Sequence, residues 1–167
     1  DFNKVKNIAE ELSFIWEKTY FHRELRPGVH EMLEGLKSLG MKLGVISNTS
    51  SLFGVFSVLK QHELRNYFQD VTLSSITGYR KPDPHIFLIS LNQLQSLPST
   101  SAYVGDTFSR DVVGPQNVGF AMTFHIQSHL TKQSDSSNNF DTIKPTYTIE
   151  NIGEVYTILK NLKENNA

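Results

Sequence analysis

Three places in this sequence combine residue types and spacing that could do chemistry. Ser47-Asn48-Thr49 sets a hydroxyl, an amide and several backbone N–H groups where an apolar run gives way to a helical pattern. Such an end favours an anion, because unpaired N–H groups and the helix dipole point at it. The same residue types also serve as plain helix caps. Lys81 stands before Pro82-Asp83-Pro84, where the backbone is stiff and its direction fixed. Its ammonium is therefore either positioned to neutralise a phosphate or carboxylate, or is a solvated charge beside a turn. Gly105-Asp106 closes another apolar run, with Asp111 five residues further on. Two carboxylates at a strand end and in the next first turn suit a hard cation such as Mg²⁺, which takes few protein carboxylates and keeps waters. The plainer alternative has Asp106 capping a turn and Asp111 complementing a helix dipole.

These residues depend on the elements that must carry them. Residues 3–21 read as one amphipathic helix, with Ile8, Leu12, Ile15 and Thr19 on a face widened by Trp16 and Tyr20; that face is expected to pack on a core or cap. Arg26-Pro27-Gly28 breaks it. A second helix follows, with Val29, Met32, Leu33 and Leu36 at helical spacing and Gly40 placed as its C′ residue. The run 42–47 (KLGVIS) has the form of a strand buried in a parallel sheet. A helix over about 51–61, a strand 71–74 and the turn 81–84 come next. In that turn Asp83 can cap and Pro84 can take a first-turn position, ahead of a helix presenting Phe87, Leu91 and Leu94. Strand 101–104, helix 109–117 and strand 120–125 lead to a polar stretch, 127–146, that reads as a long surface loop. Residues 147–149 form a short last strand, and Asn151 with Glu154 opens the final helix in the manner of a capping box. Strands alternating with helices imply an α/β fold with a parallel sheet. In such sheets ligands sit beyond the carboxyl ends of the strands, which is where Ser47-Asn48 and Asp106 fall.

Composition narrows the classes. At 167 residues, 38% hydrophobic and 20% charged, the chain suits one soluble domain with a real core. The net charge is −1 and the basic residues are scattered, which argues against nucleic acid as a partner. No apolar run approaches the roughly 20 residues of a membrane-spanning helix. With no cysteine, disulfides, thiolate catalysis and Cys-based zinc sites are excluded. This fits a reducing compartment, with the cytoplasm as the default location. The first residues lack the charged start and apolar run of a signal peptide, and the chain opens on Asp1 rather than Met, so an upstream segment is expected to have been removed. The six histidines have no ligand spacing; His125 and His129 are four apart at a strand end and in a loop. Neither GxGxxG nor a P-loop pattern occurs.

Taken together, Arg26-Pro27-Gly28, VISN (45–48), KPDPHIF (81–87), VGDTFSRD (104–111) and Gly119 resemble the haloacid dehalogenase-like (HAD) superfamily in order, spacing and strand context. The branch indicated is the one whose cap is inserted after the first strand. The resemblance covers residues 26–125 and implies a Rossmann-like three-layer α/β/α sandwich with a mostly parallel sheet. It also implies a division into a remnant of a helical cap, 1–25, and a core domain, 26–167. By position, Ser47 resembles the family's phosphate-binding Ser/Thr, with Asn48 beside it. Lys81 resembles the lysine that pairs with the nucleophile and the transferring phosphoryl group. Asp106 resembles the acidic Mg²⁺ ligand, and Asp111 the second acid, supporting the metal or the lysine. Two acids favour phosphoryl transfer over dehalogenation, which needs no metal.

The resemblance thus implies a Mg²⁺-dependent phosphatase acting on a small phosphorylated metabolite through an aspartyl-phosphate intermediate. Its DxDx[TV] motif, however, is absent from this chain. That motif lies on the family's first, central strand, between the strands at 42–47 and 102–104. Asp1-Phe2-Asn3-Lys4-Val5 carries only a superficial likeness, because Asn3 replaces the second acid. The expectation is a truncated chain, inactive alone, whose sheet has a central gap to be filled by a missing segment or a second chain. The alternative is a catalytically dead module that binds a phosphorylated ligand or a protein. An independent flavodoxin-like domain would leave KPDP and GDxxxxD unexplained.

Overall fold

The computed structural model describes residues 2–21, 23–128 and 142–165. Asp1, His22, His129 and most of the expected 127–146 loop lie outside the described residues. The N-terminal segment forms two helices, α1 (Phe2–Lys6) and α2 (Ala9–Tyr20), so the single helix expected over 3–21 is broken at Asn7-Ile8. Helix α3 (Val29–Ser38) follows Gly28, whose φ of 81° turns the chain into it. Strand β1 (Gly44–Ser47), α4 (Gly54–Gln61), β2 (Asp70–Leu73) and the short α5 (Ser74–Thr77) come next. Helix α6 (Pro84–Gln93) starts as the sequence predicts, with Asp83 Oδ1 accepting from the His85 amide at 2.9 Å and Pro84 in the first turn. Strand β3 (Ala102–Gly105) runs into a π-helical turn (Ser109–Val113) that continues as α7 (Gly114–Val118), in place of one regular helix over 109–117. The chain ends with β4 (Met122–Ile126), β5 (Tyr147–Ile149) and α8 (Glu154–Asn165). At the start of α8, Glu154 Oε1 accepts from the Asn151 amide at 2.7 Å, the returning half of the capping box.

The strands form two parallel groups, β1–β2 and β3–β4–β5. Two helical layers cover them, as the expected α/β/α sandwich requires. On one face α3, α4 and α8 enclose Leu33, Leu36, Leu59, Leu73, Phe124 and Val155. On the other, α6 brings Ile86 and Phe87 against Tyr103, with Ile46, Val118 and Phe120 around them. Alternation along the strands sorts residues to these layers: Val45 and Val104 go to the first, Ile46 and Tyr103 to the second. Phe87 and Phe124 are fully buried, each contributing roughly 1.5–3 kcal/mol by leaving water.

The sheet is interrupted at its centre. Among the described residues, β1 pairs only with β2, and β3 only with β4. Between the two open edges lies a cavity of about 1110 Å³, walled by Val45 and Ile46 on one side and Tyr103 and Val104 on the other, with Leu33 and Leu91 from the two helical layers. This is the position at which the sequence predicts a gap. No helix among the described residues is long and apolar enough to cross a membrane.

Candidate active site at the carboxyl ends of β1 and β3

Ser47 is the last residue of β1 and is half-buried. The chain then turns through Asn48 and Thr49 without starting a helix. The amides of Phe53 and Gly54 at the start of α4 donate instead to Ser51 Oγ, at 3.1 and 2.9 Å. The polar cluster after β1 is therefore free of that task and has other work. Asn48 grips the main chain of Lys81 at both ends: its Oδ1 accepts from the Lys81 amide at 2.8 Å and its Nδ2 donates to the Lys81 carbonyl at 3.0 Å. This bidentate contact joins the end of β1 to the KPDP turn, where the Lys81–Pro82 peptide is cis.

Held in this way, Lys81 is not a solvated surface lysine. Its side chain is 12% exposed, and Nζ donates to Asp111 Oδ1 at 2.6 Å and to the Tyr103 hydroxyl at 3.0 Å. Burial works against its charge, but Tyr103 and Asp111 beside it outweigh that and hold its pKa above the ordinary lysine value. Tyr103, buried in the same cluster, is pushed up to about 12 by burial, with Lys81 partly opposing. Lys81 is thus a fixed cation and Tyr103 a neutral phenol across ordinary pH. The second oxygen of Asp111 accepts from the Thr107 amide at 3.1 Å. Gly105 makes room for this carboxyl group, since a Cβ there would land on it.

Asp106 lies at the same rim but in a different setting. Its side chain is 37% exposed and its Oδ2 accepts from Arg26 Nη2 at 3.4 Å; so exposed and long a pair binds weakly. As a half-exposed carboxylate at a strand end, Asp106 is a suitable hard donor for Mg²⁺. Asp111 is committed through both oxygens to Lys81 and Thr107. No group of three His, Asp or Glu side chains that could hold a metal occurs among the described residues.

Of the five residues singled out in the sequence, Lys81, Asp106 and Asp111 line one rim of the cavity; Asn48 reaches it through the Lys81 main chain, and Ser47 precedes Asn48 at the end of β1. Sequence reasoning missed Tyr103 and the pairing of Arg26 with Asp106. A tyrosine inside an apolar strand was the available signal for the first, because its hydroxyl needs a partner once buried. The second joins residues 80 apart in sequence and left no local sign.

Comparisons with known proteins agree with this geometry. The family profile for haloacid dehalogenase-like hydrolases matches residues 3–125. The chain is 34% identical over 121 residues to haloacid dehalogenase-like hydrolase domain-containing protein 3 of Bos taurus, covering 71% of this chain and 46% of that protein. It is 32% identical over 106 residues to the glyceraldehyde 3-phosphate phosphatase of Methanothermobacter thermautotrophicus, covering 64% and 46%. It spans about half the length of these curated relatives. Among solved structures, a HAD phosphatase from Thermococcus onnurineus superposes with a TM-score of 0.70 at 28% identity, over 90% of this chain and 64% of that one. A 2-haloacid dehalogenase from Pseudomonas syringae pv. Tomato shares the fold, with a TM-score of 0.72 at 23% identity, over 97% and 64%. On the motifs, the fold and the profile match, the chain belongs to the haloacid dehalogenase-like hydrolase family.

Proposed function

We propose that this chain carries the phosphate-binding, lysine and metal-binding parts of a Mg²⁺-dependent phosphatase for a small phosphorylated metabolite. Its nucleophile would arrive on a strand that fills the cavity between β1 and β3, either from the same polypeptide or from another chain. The observation that carries this reading is the convergence of Lys81, Asp106 and Asp111 on the carboxyl-end rim of a cavity bounded by two open parallel strand edges, with Ser47 closing one of those strands. A strand entering there parallel to its neighbours would deliver its own carboxyl-end residues to Lys81. The glyceraldehyde 3-phosphate phosphatases among the relatives support a small phosphate ester as substrate, and the magnesium-bound YfnB of Bacillus subtilis supports the choice of cation.

In this reading the amides of 49–52 are taken up in holding the loop, while the Ser47 hydroxyl binds the phosphoryl oxygens. Lys81, fixed by Asn48 and Asp111, offsets their charge and that of the incoming aspartate. Mg²⁺, held by Asp106 together with acceptors on the added strand, would offset the remaining phosphoryl charge. The strand's first aspartate attacks phosphorus and the ester oxygen leaves, taking a proton from the strand's second aspartic acid. That second residue then removes a proton from water as the water attacks the aspartyl phosphate, releasing inorganic phosphate and restoring the carboxylate.

The test joins an apolar strand ending in DxDx[TV], with a connecting cap, upstream of residue 1 and assays p-nitrophenyl phosphate with Mg²⁺. The expected result is turnover abolished by Asp106→Ala and by Lys81→Ala, with none from the 167-residue chain alone. Turnover by the 167 residues alone would defeat the requirement for the strand. A strand-completed protein that binds phosphate without turnover would favour the binding module.

A further inference from the structure

Helix α2 docks with the wrong face for an ordinary amphipathic helix. Its apolar residues Leu12, Ile15, Trp16 and Tyr20 are about half exposed or more, whereas Glu17 is 3% exposed. Glu17 Oε1 accepts from Thr49 Oγ1 at 2.5 Å, the Ser50 amide at 2.7 Å, Ser50 Oγ at 3.0 Å and the Ser51 amide at 3.2 Å. Oε2 pairs with Arg23 at 3.2 Å. Two helical turns earlier, Glu10 accepts from Ser51 Oγ at 2.7 Å and from the Leu52 amide at 2.9 Å. Three consecutive amides of the loop, 50 to 52, are thereby covered by carboxylates from α2. Gly54 is what permits the approach, since a Cβ there would lie 2.7 Å from Glu17 Oε2.

We propose that Glu17 is a positioning residue for the loop that leaves β1 at Ser47, and that Glu17 and Glu10 together make α2 a fixed part of the core. A buried carboxylate persists only when its oxygens are fully hydrogen-bonded or paired, and Glu17 meets that condition entirely through this loop and Arg23. The loop is gripped from the other side by Ser74, whose Oγ accepts from the Thr49 amide and donates to the Thr49 carbonyl, both at 2.9 Å. The next residue back is Asn48, which holds Lys81 by both main-chain groups. Hydrogen bonds from α2 thus hold residues 49–51, the chain itself links Thr49 to Asn48, and Asn48 holds the main chain of Lys81, whose side chain bonds Asp111. The meaning of this for phosphate binding rests on the proposed function; the positioning itself does not.

Contiguity alone does not demonstrate coupling, so the test measures it on the 167-residue chain. Amide hydrogen exchange resolved by NMR is compared for wild type, Glu17→Gln and Glu10→Gln; glutamine keeps the shape and removes the charge. Glu17→Gln is expected to lower protection roughly tenfold at Ser50 and Ser51, to shift the Lys81 amide resonance, and to leave Phe124 in β4 unchanged. Glu10→Gln should act at Leu52 and, through the Ser51 hydroxyl, at Phe53 and Gly54, and leave Ser50 unchanged. Equal loss at Ser50 and Phe124 would mean general destabilisation and overturn the proposal, as would unchanged protection at Ser50 and Ser51. In the strand-completed phosphatase, Glu17→Gln should raise KM for p-nitrophenyl phosphate several-fold more than it lowers kcat. An unchanged KM there would overturn the link to phosphate binding. If that protein proves inactive, the exchange result still decides whether Glu17 positions the loop, so the two readings fail separately.

Discussion

Two carboxylates carry much of the electrostatics of this molecule, and each does so through partners that can be removed singly. Asp111 and Lys81 are both nearly buried and bonded at 2.6 Å. Removing one partner of such a pair leaves the other charge in low dielectric without compensation, at a cost of roughly 3–5 kcal/mol. Asp111→Ala should therefore lower the unfolding free energy by about that amount in urea titrations. The double variant Asp111→Leu/Lys81→Met should recover a large part of it, because no orphaned charge remains. A cost below about 1 kcal/mol would show that solvent screens the pair. Glu17 gives a pH dependence whose sign is fixed. Burial pushes its pKa up, but hydrogen bonds from Thr49, Ser50 and Ser51 overbalance this and bring it from 4.5 to about 2. A group whose pKa falls on folding contributes stability above its unfolded pKa and loses it on acidification. Glu17 thus adds about 3 kcal/mol at neutral pH, lost progressively as pH falls from about 4.5 towards 2. In Glu17→Gln the difference in stability from wild type should shrink over that window, as followed by circular dichroism at graded urea. A difference that stays constant down to pH 2.5 would refute the assignment.

At the scale of elements, what was legible in the sequence depended on whether the deciding interaction was local. Helix α6 was readable because Asp83 and Pro84 act within its own first turn, and α8 because Asn151 and Glu154 lie three residues apart. The strands were readable as short apolar runs, with ends displaced by one or two residues. The VISN, KPDP and GDxxxxD segments marked the site because each lies at a strand end or turn whose geometry its own residues dictate. Helix α2 was legible only in part, for the opposite reason. Periodicity identified its apolar stripe correctly, yet orientation is decided by residues 49–52, 32 to 42 positions away, whose amides and hydroxyls take Glu17 and Glu10. Solvated carboxylates on a helix normally face water, so nothing near Glu17 in sequence signals that it is buried. The apolar stripe with Trp16, expected to pack on a core or cap, is exposed among the described residues. The π-helical turn at Ser109–Val113 was likewise invisible, because it belongs to the tertiary demand that Asp111 reach both Lys81 and the Thr107 amide.

The whole molecule is governed by the break in its sheet. Strand order runs β2–β1, cavity, β3–β4–β5, and among the described residues each strand bordering the cavity leaves main-chain donors and acceptors without a sheet partner on that side. Unpaired backbone groups away from water are costly, and open edges are templates for another strand. The apolar walls, Val45, Ile46 and Val104, add burial as a second driving force. A strand that fills the cavity therefore gains ladder hydrogen bonds on both sides as well as apolar contact, and binding of the folded state alone stabilises it by mass action. The consequence is measurable in the exchange rates of particular amides. In the 167-residue chain, amides of 44–47 and 102–105 divide into two classes: those directed to β2 or β4 are protected, and those directed into the cavity exchange within minutes. In the strand-completed protein the second class should become as slow as the first, while β4 and β5 change little. Uniform protection of both edges in the 167-residue chain would mean that the two half-sheets close on each other in solution, and the cavity would then not be a strand site. Fast exchange that persists after the strand is supplied would locate the strand elsewhere. Slowing confined to the cavity-facing amides is the one pattern a parallel strand between β1 and β3 produces, because only there does a single segment pair with both halves of the sheet at once.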